Sequence, residues 1–532
     1  MKASVAARGW IHAVVAGATA GVLAEVLVLR LNPEILQGPG AVLEGVPAFA
    51  AWGAILAGVP LLILLAVVRR LRRADRWWPA PQLLALVYVV AAVMSRVNAA
   101  LHPEYLPPSG HRILGQDAVA WLIAALLALA GGRLVNRLGG GRTARVIFAG
   151  LLFVAPLARL IWQPTPPLTP LDVVARPLGQ PARPLLVIGL EGFDSKVLLS
   201  WIGDGRYRTL SDLEEGGAWA PLSPYRPFLG RSLWTSLATG TLPGRHGVKS
   251  HWGWRLPWLG GQTLRLLPWT PQGSRLILPW GLAERVVPPP ASVPPLWERL
   301  RVSGVATAVF GWPGIWGDDV TLERVPKEDG LEAMEPAIRV SLARALAPFA
   351  TQGPEVWRAV RSDQARVDEA CAALAAGRRD VWIHLEGLGA ARRELEPLKP
   401  MHTREREVLS LVLELLDMHL EHLLSAVAPD TLVVVVSPYG LQPPGSWERL
   451  RRLLGIGGTW RMSAEGSPDG LLLLRGVGVR RAARFGAVRV TDVAPTVCYL
   501  LGLPVAQYME GRVLVEAVEP EFLAAHPLRV VD

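Results

Sequence analysis

The stretch that decides the fold begins Leu185-Leu186-Val187-Ile188-Gly189-Leu190-Glu191-Gly192-Phe193-Asp194. Its first six residues form an apolar run, with a proline before it and polar residues after it. This pattern is typical of a strand that is buried on both faces of a sheet. Carboxylates follow directly in Glu191 and Asp194. Because chemistry in an open α/β sheet collects where strands end, we expect a site beside Glu191.

The stretch continues with Leu229-Gly230-Arg231-Ser232-Leu233-Trp234-Thr235-Ser236-Leu237-Ala238-Thr239-Gly240, and then with Leu242-Pro243-Gly244-Arg245-His246-Gly247. A helix that opens near Gly230 would present free backbone N–H groups, which bind anions. A carboxylate at a strand end can hold a metal ion. Together these two features predict a phosphate-handling site.

The rest of the C-terminal part alternates short β-branched runs with amphipathic stretches. Candidate helices cover Ala337–Leu346 and Glu405–Val427, and the candidate strands are Leu185–Leu190, Ala306–Phe310, Val381–Leu385, Leu432–Val436 and Leu471–Leu474. Such alternation predicts an α/β domain with a mostly parallel sheet flanked by helices.

This framework resembles the type I phosphodiesterase/nucleotide pyrophosphatase family of the alkaline phosphatase superfamily. In that family an Asp follows the first strand, a Thr or Ser nucleophile opens a helix, and Thr-Gly-x-x-Pro-x-x-His-Gly follows; this last motif matches Thr239 to Gly247. Shorter matches lie at 295–300, 311–314, 491–496, 501–504 and 509–514. The resemblance spans about 184–515. It implies an alkaline-phosphatase-like fold and a phosphoryl-transfer reaction in which two zinc ions hold the phosphoryl group between nucleophile and leaving group.

Carried over residue by residue, the resemblance leaves few of the family's chemical groups in place. The nucleophile position falls on Gly230, and the nearby Ser232 and Thr235 are out of register. The family's metal-ligand positions fall on Glu191, Gly389, Arg393, Pro438, Tyr439 and Gly466. Only Glu191 keeps a side chain of the carboxylate or imidazole type that zinc sites use. We therefore expect no zinc cofactor, and we expect His246 to be a structural turn residue.

Two interpretations of the degenerate site remain open. The chain could be a pseudoenzyme with a binding or scaffolding role in envelope or lipid metabolism. Its site could bind an anion through Gly230, Arg231 and Arg393, since arginine suits phosphate, or these arginines could only fill the site with salt bridges. Alternatively, the chain could be an active phosphodiester hydrolase, or a lipid-headgroup transferase of the phosphoethanolamine or glycerophosphate type. Its rebuilt site would then use Glu191, Asp194, Ser232, Glu386 and Tyr439.

The N-terminal third has the composition of a membrane domain. Five apolar runs of roughly 20 residues, the length that spans a bilayer, lie at Trp10–Leu31, Pro47–Val68, Leu83–Leu101, Ala118–Leu134 and Val146–Trp162. Residues 1–165 hold 15 Lys or Arg and 6 Asp or Glu, so nearly all of the net charge of +10 lies there. This distribution argues against nucleic acid as a partner.

Lysine and arginine residues predict the orientation of the spans. They cluster before the first span, between the second and third, and between the fourth and fifth. We expect a cytoplasmic N-terminus in a bacterial inner membrane and a periplasmic or extracellular C-terminal domain. Glu25, Arg96 and Arg159 lie inside spans. They could snorkel to the interface or contact lipid headgroups, and a transporter built on these spans is a third function class.

These features predict a division into a membrane domain at 1–162, a Pro-rich linker at 163–183, and an extracytoplasmic domain at 184–532. Within the last of these, residues 251–290 form a Trp-rich insertion, predicted to be a lid, a membrane-facing surface or an ordinary packed loop. Cys371 and Cys498 lack metal-type spacing. They could pair in an oxidising compartment or remain free. The expected partners are membrane lipids and an envelope protein.

Overall fold

The computed structural model describes the chain outside 1, 36–38, 73–79, 167–175, 196–197, 199–206, 227–229, 250–252, 260, 271–276, 280–281, 287–290, 314–335, 350–352, 396–402, 444–467 and 532. The helices are α1 Lys2–Leu31, α2 Pro39–Leu56, α3 Gly58–Arg72, α4 Ala80–Leu101, α5 Pro108–Arg137, α6 Arg142–Trp162, α7 Arg208–Glu215, α8 Gly230–Thr239, α9 Pro243–His246, α10 Leu296–Val302, α11 Pro336–Leu346, α12 Gly353–Ala375, α13 Gly387–Leu395, α14 Thr403–Ser425, α15 Val493–Leu500 and α16 Pro520–Ala525. The strands are β1 Leu185–Leu190, β2 Ala218–Ser223, β3 Gly253–Arg255, β4 Thr263–Leu264, β5 Glu284–Val286, β6 Thr307–Phe310, β7 Asp380–Leu385, β8 Leu432–Tyr439, β9 Asp469–Arg475, β10 Ala483–Arg484, β11 Val488–Arg489, β12 Val505–Ala506 and β13 Val530–Val531.

The chain forms two compact units. The first consists of Met1–Thr169 and Lys249–Pro289, and the second of Pro170–Val248 and Pro290–Asp532. The predicted linker 163–183 contributes to both units, and its middle part lies outside the described residues. Within the second unit, the Leu178 N–H donates to Ser303 Oγ at 2.8 Å, so this end of the linker is bonded to the domain.

The first unit contains five helical segments long and apolar enough to cross a membrane, as the sequence predicts. They are Trp10–Leu31, Val42–Val68, Ala80–Leu101, Pro108–Arg137 and Arg142–Trp162. The second segment is divided between α2 and α3. Pro60 explains the break, because proline has no N–H to continue the helical hydrogen bonds across this point.

Small residues bring α1 and α2 into close contact. A Cβ built on Gly21 would lie 1.9 Å from the Phe49 carbonyl oxygen, and one on Gly53 would lie 2.4 Å from the Gly17 carbonyl oxygen. Gly17 and Gly21 are four residues apart and face the same helix. This is the spacing by which small residues let apolar helices pack backbone to backbone.

The Trp-rich segment belongs to the first unit rather than to the α/β domain in which the sequence analysis placed it. It forms the small antiparallel sheet β4-β3-β5, and its Leu256, Leu259 and Leu264 are buried in one apolar cluster with the helices. Two helix-end asparagines hold its backbone: Asn32 Oδ1 accepts the Leu266 N–H at 2.9 Å, and Asn98 Oδ1 accepts the Trp269 N–H at 2.7 Å. Sequence periodicity carries no signal for such long-range contacts.

The second unit is the predicted α/β domain. Its large sheet has the order β10-β2-β9-β8-β1-β7-β6, with β11 also paired to β2. β9 runs antiparallel to both neighbours, and the other described pairs in this sheet are parallel. β1 lies between β7 and β8 with all six residues buried. Helices α11 to α14 contribute apolar residues to one core cluster with these strands, which confirms the mostly parallel, helix-flanked sheet.

Candidate active site

Three central strands end at one edge of the sheet. β1 pairs in parallel with β7, with Leu190 opposite Leu385, and in parallel with β8, with Gly189 opposite Val436. Glu191 therefore follows β1 at the edge where β7 leads to Glu386 and β8 ends at Tyr439. The Glu191 N–H donates to the Leu385 carbonyl at 2.9 Å, which fixes the start of the turn.

Glu191 is the centre of a buried polar network at this edge. Its Oε1 accepts hydrogen bonds from Arg393 Nη1 at 2.9 Å and from the Tyr439 hydroxyl at 2.5 Å. Its Oε2 lies 3.3 Å from His384 Nε2. The Glu191 residue is only 8% exposed. One carboxylate is thus held by three side chains from β7, α13 and β8.

The network decides the charge of Glu191. Burial alone would raise the pKa of its carboxyl group, but the hydrogen bond from His384, the Arg393 guanidinium and the hydrogen bond from Tyr439 outweigh burial and hold that pKa well below its ordinary value. Burial and the neighbouring Glu191 charge raise the pKa of the Tyr439 hydroxyl well above its usual value. Glu191 is therefore an anion and Tyr439 a neutral donor near pH 7.

Helix α13 brings two of the other expected ligand positions, Gly389 and Arg393, to Glu191. A Cβ built on Gly389 would lie 2.5 Å from Glu191 Cγ, so the glutamate side chain occupies the space in front of that residue. Arg393, one turn later on the same helix face, reaches the carboxylate itself. The positions at which the family carries an Asp and a His thus provide no side chain at Gly389 and a cation at Arg393.

Asp363 on α12 holds the start of α13. Its carboxylate accepts the N–H groups of Glu386 at 2.9 Å and Gly387 at 2.7 Å. These are unsatisfied donors of a helix first turn, which an acidic side chain stabilises. Burial is the main reason that the pKa of Asp363 is raised to about 7, although Arg366 and the two N–H groups oppose the increase.

The other acidic candidates are also paired. Asp194 is 2% exposed, and its Oδ2 accepts from Arg392 Nη1 at 2.9 Å. Glu386 Oε1 accepts from Arg366 Nη2 at 3.2 Å. Glu386 also interacts electrostatically with Arg393, the residue that is bonded to Glu191, whereas Asp194 is paired with Arg392.

The hydroxyl groups near the nucleophile position point into the protein. Gly230 is the first residue of α8. Ser232 Oγ donates to the Val248 carbonyl at 2.7 Å and lies 3.0 Å from the Tyr225 hydroxyl. Thr235 Oγ1 donates to the Arg231 carbonyl at 2.8 Å. Both side chains are at most 1% exposed, so neither hydroxyl is available to attack a substrate.

Arg231 is half-buried at the start of α8, and burial lowers the pKa of its guanidinium. Among the residues that the structure describes, its Nε has no hydrogen-bond partner. Arg393 differs, because it is committed to Glu191. In the candidate anion site of Gly230, Arg231 and Arg393, Arg393 is therefore already paired with a carboxylate, and Arg231 has an Nε–H without a hydrogen-bond partner among the described residues.

His246 lies in the turn after α8 and is fully buried. Its Nδ1 accepts the Val248 N–H at 3.1 Å, and its Nε2 lies 2.9 Å from Ser236 Oγ. Burial lowers the pKa of the imidazole to about 3, so the ring is neutral. These contacts support a structural role for His246.

The family's zinc ions require several carboxylate and imidazole ligands. Pro438 lies buried in β8 and offers no ligand, and Gly466 lies outside the described residues. Within the described part of the chain, no group of three or more His, Cys, Asp or Glu residues could hold a metal ion. Since Glu191 is the only one of the described ligand positions with a carboxylate or imidazole and is already held by Arg393, Tyr439 and His384, the residues present here do not fit a two-zinc centre.

Sequence reasoning missed His384, whose ring lies beside Glu191 and inside an aromatic cluster. Its centroid is 4.7 Å from that of Trp234 and 6.4 Å from that of Trp312. In the sheet register His384 lies opposite Gly189, where a Cβ would lie 2.8 Å from the Trp234 ring. The glycine in an otherwise bulky strand was the one available signal that large rings pack over this point.

A comparison with protein families agrees with this architecture. The type I phosphodiesterase/nucleotide pyrophosphatase family matches residues 185–476, which is more than half of the chain. One similar solved structure is murine ectonucleotide pyrophosphatase/phosphodiesterase 5 in an inactive form in complex with AMP. It is 12% identical, the alignment covers 60% of this chain and 95% of that chain, and the TM-score is 0.37. No curated protein matches the chain. On the strength of the family match, this chain belongs to the type I phosphodiesterase/nucleotide pyrophosphatase family and has its alkaline-phosphatase-like fold.

Proposed function

We propose that this chain is a membrane-anchored, catalytically inactive member of its family, with a binding or scaffolding role in envelope or lipid metabolism. One observation carries the proposal: the Glu191 carboxylate, at the first metal-ligand position, is neutralised by Arg393 at another such position. A guanidinium bonded to that carboxylate disfavours a divalent cation there, because it offsets the negative charge and the two cations would repel each other.

The surroundings of the nucleophile position support the same conclusion. Gly230 has no nucleophilic atom, and the hydroxyls of Ser232 and Thr235 are bonded to backbone carbonyls inside the protein. Activation of a hydroxyl requires a base or a metal within hydrogen-bonding reach. Ser236 meets His246 at 2.9 Å, but both are fully buried and no substrate could reach them.

The contacts of Arg393 also bear on the proposed anion site. Its pairing with Glu191 leaves no net charge between these two side chains, so the pair offers little attraction for phosphate. These contacts favour the interpretation in which arginine fills the former metal site with a salt bridge. The scaffolding role then rests on the outer surface of the domain and on the membrane unit rather than on this edge of the sheet.

A phosphodiester assay tests the proposal. The full chain, purified in neutral detergent, is incubated with bis(p-nitrophenyl) phosphate, with p-nitrophenyl thymidine monophosphate and with phosphatidylglycerol, in the presence of zinc, manganese or magnesium. We expect no product above the rate of the buffer alone. Turnover that disappears in Glu191→Gln but persists in the matched surface variant Glu355→Gln would overturn the proposal.

We also propose that the five apolar helices anchor the chain in a bacterial inner membrane with the second unit on the outer side. The alternation of Lys- and Arg-rich loops supports this orientation. A reporter that is active only in the periplasm, fused after the last residue, should be active in cells. Activity of a cytoplasmic reporter at the same position would reverse the proposed topology.

A further inference from the structure

The first unit contains a cavity of about 350 Å³ between its helices, within the range of roughly 300–1,000 Å³ for ligand sites. α1, α3, α4 and α5 line it with apolar side chains, among them Leu23, Leu27, Leu61, Val87, Met94 and Trp121. Its polar lining residues are Arg30, Asp117, Ser95 and Thr270. The cavity is therefore a largely apolar pocket with a charged end.

The charged end is a buried cluster of two arginines and one aspartate. Asp117 Oδ2 accepts from Arg30 Nε at 2.9 Å, and its Oδ1 accepts from Arg159 Nε at 2.5 Å. Arg30 and Asp117 are each 1% exposed. Two guanidinium groups share a single carboxylate, so the cluster carries one uncompensated positive charge. A buried charge of this kind is costly unless an anion joins it.

Arg30 has an unused donor at this cluster. Its Nη1 is bonded to the Gln163 carbonyl and lies 3.2 Å from Thr165 Oγ1. Its Nη2 is buried and has no hydrogen-bond partner among the described residues. Buried donors in native proteins are nearly always satisfied, and a guanidinium fork is well suited to a phosphate oxygen. Arg30 thus provides both the charge and the free donor for an anion in the cavity.

The cavity opens to the face of the unit that would meet lipid. Leu56 and Leu86, which line it, are 39% and 40% exposed, and Val90 is 50% exposed. Arg30 lies in the last turn of α1 and Arg159 in the last turn of α6. The charged end is therefore near the ends of membrane helices, at the depth where lipid phosphates lie, while the apolar part extends along the helices.

We propose that this cavity binds one phospholipid molecule from the bilayer, with an acyl chain in the apolar part and the phosphate on Arg30 Nη2. The site is independent of the edge of the sheet beside Glu191. It assigns a ligand to the membrane unit whether or not the second unit is catalytically active.

Native mass spectrometry of the full chain in neutral detergent tests this site. The protein is titrated separately with dioleoyl phosphatidylglycerol, with dioleoylglycerol, which has the same chains without phosphate, and with inorganic phosphate. We expect one phosphatidylglycerol to bind about tenfold or more tightly than dioleoylglycerol, because charge-assisted hydrogen bonds are strong. Inorganic phosphate should not bind in the same range. Equal binding of the two lipids, or phosphate binding as strong as that of phosphatidylglycerol, would overturn the proposal.

Two variants locate the lipid. Arg30→Gln should weaken phosphatidylglycerol binding about tenfold or more and leave dioleoylglycerol unchanged. Ala91→Phe, which adds a large apolar side chain to the lining of the cavity, should weaken both lipids. Two substitutions at exposed positions are the matched controls: Arg133→Gln for Arg30→Gln, and Leu126→Phe for Ala91→Phe. Both controls should bind the lipids like the wild type. If Arg30→Gln fails to fold, Ala91→Phe decides, and unchanged phosphatidylglycerol affinity in Ala91→Phe would overturn the proposal.

Discussion

Removal of the Arg393 guanidinium tests whether this side chain has replaced the metal site. In Arg393→Met, Glu191 would keep its hydrogen bond from Tyr439 and its contact with His384 but would lose its only described cationic partner from α13. Removing one partner of a buried ion pair costs about 3–5 kcal/mol. The Arg393 side chain is 33% exposed, so solvent reduces this figure, and we expect a loss of about 2 kcal/mol.

The double variant Glu191→Gln/Arg393→Met supplies the matched control. It removes both charges while keeping similar side-chain volumes, so it should recover at least half of the stability that Arg393→Met loses. The measurement is denaturant unfolding of the full chain in detergent, followed by tryptophan fluorescence. The four fully buried tryptophans beside this site, Trp234, Trp297, Trp312 and Trp382, report on the second unit. A loss below about 0.5 kcal/mol in Arg393→Met, or additive losses in the double variant, would refute the reasoning.

The same pair predicts a pH dependence. The pKa of Glu191 is lower in the folded than in the unfolded chain, so its carboxylate contributes stability above the unfolded value of about 4.3. This contribution is lost as the pH falls through the folded value. The difference in unfolding free energy between wild type and Glu191→Gln should therefore be constant from about pH 5 to 7 and shrink on acidification. A difference that grows below about pH 4 would contradict the assigned direction.

Three further predictions concern other parts of the chain. Burial raises the pKa of the Asp380 carboxyl to about 7. The unfolding free energy of the wild type should therefore fall relative to that of Asp380→Asn as the pH rises from about 4 to above 7, by about 4 kcal/mol at most. Paired denaturation curves of the two proteins measure this difference. An increase would contradict it. Gly389→Asp, which restores a family ligand, should lower the melting temperature of the second unit, because its Cβ would lie 2.5 Å from Glu191 Cγ. An unchanged melting temperature together with bound zinc would contradict this prediction. Gly21→Leu should destabilise the helical unit by several kcal/mol relative to Gly40→Leu, since its Cβ would lie 1.9 Å from the Phe49 carbonyl while Gly40 has open space.

Local patterns predicted the elements that depend on local chemistry. The apolar run Leu185–Leu190 forms a buried central strand as expected, and the five apolar runs form helices long enough to cross a membrane. The order of strands and helices was sufficient for the mostly parallel sheet, because parallel neighbours need crossover helices.

The partners of the site residues could not be predicted in the same way. Arg393 and Tyr439 were identified as occupants of ligand positions, but their joint bond to Glu191 depends on the packing of α13 against β1 and β8. Arg30 was not singled out, because one arginine near the end of an apolar run reads as an interface residue. Its pairing with Asp117 joins residues 87 positions apart. The two cysteines, for which the sequence allowed a disulfide, are free thiols in the structure: Cys371 and Cys498.

The zinc content of the purified chain tests the central claim most directly. The full chain is incubated with excess zinc, freed of unbound metal, and analysed by inductively coupled plasma mass spectrometry beside the Glu191→Gln variant. Because Glu191 is held by Arg393, Tyr439 and His384, we predict far less than one zinc per chain and no difference between the two proteins. Two zinc ions per wild-type chain, lost in Glu191→Gln, would contradict the account.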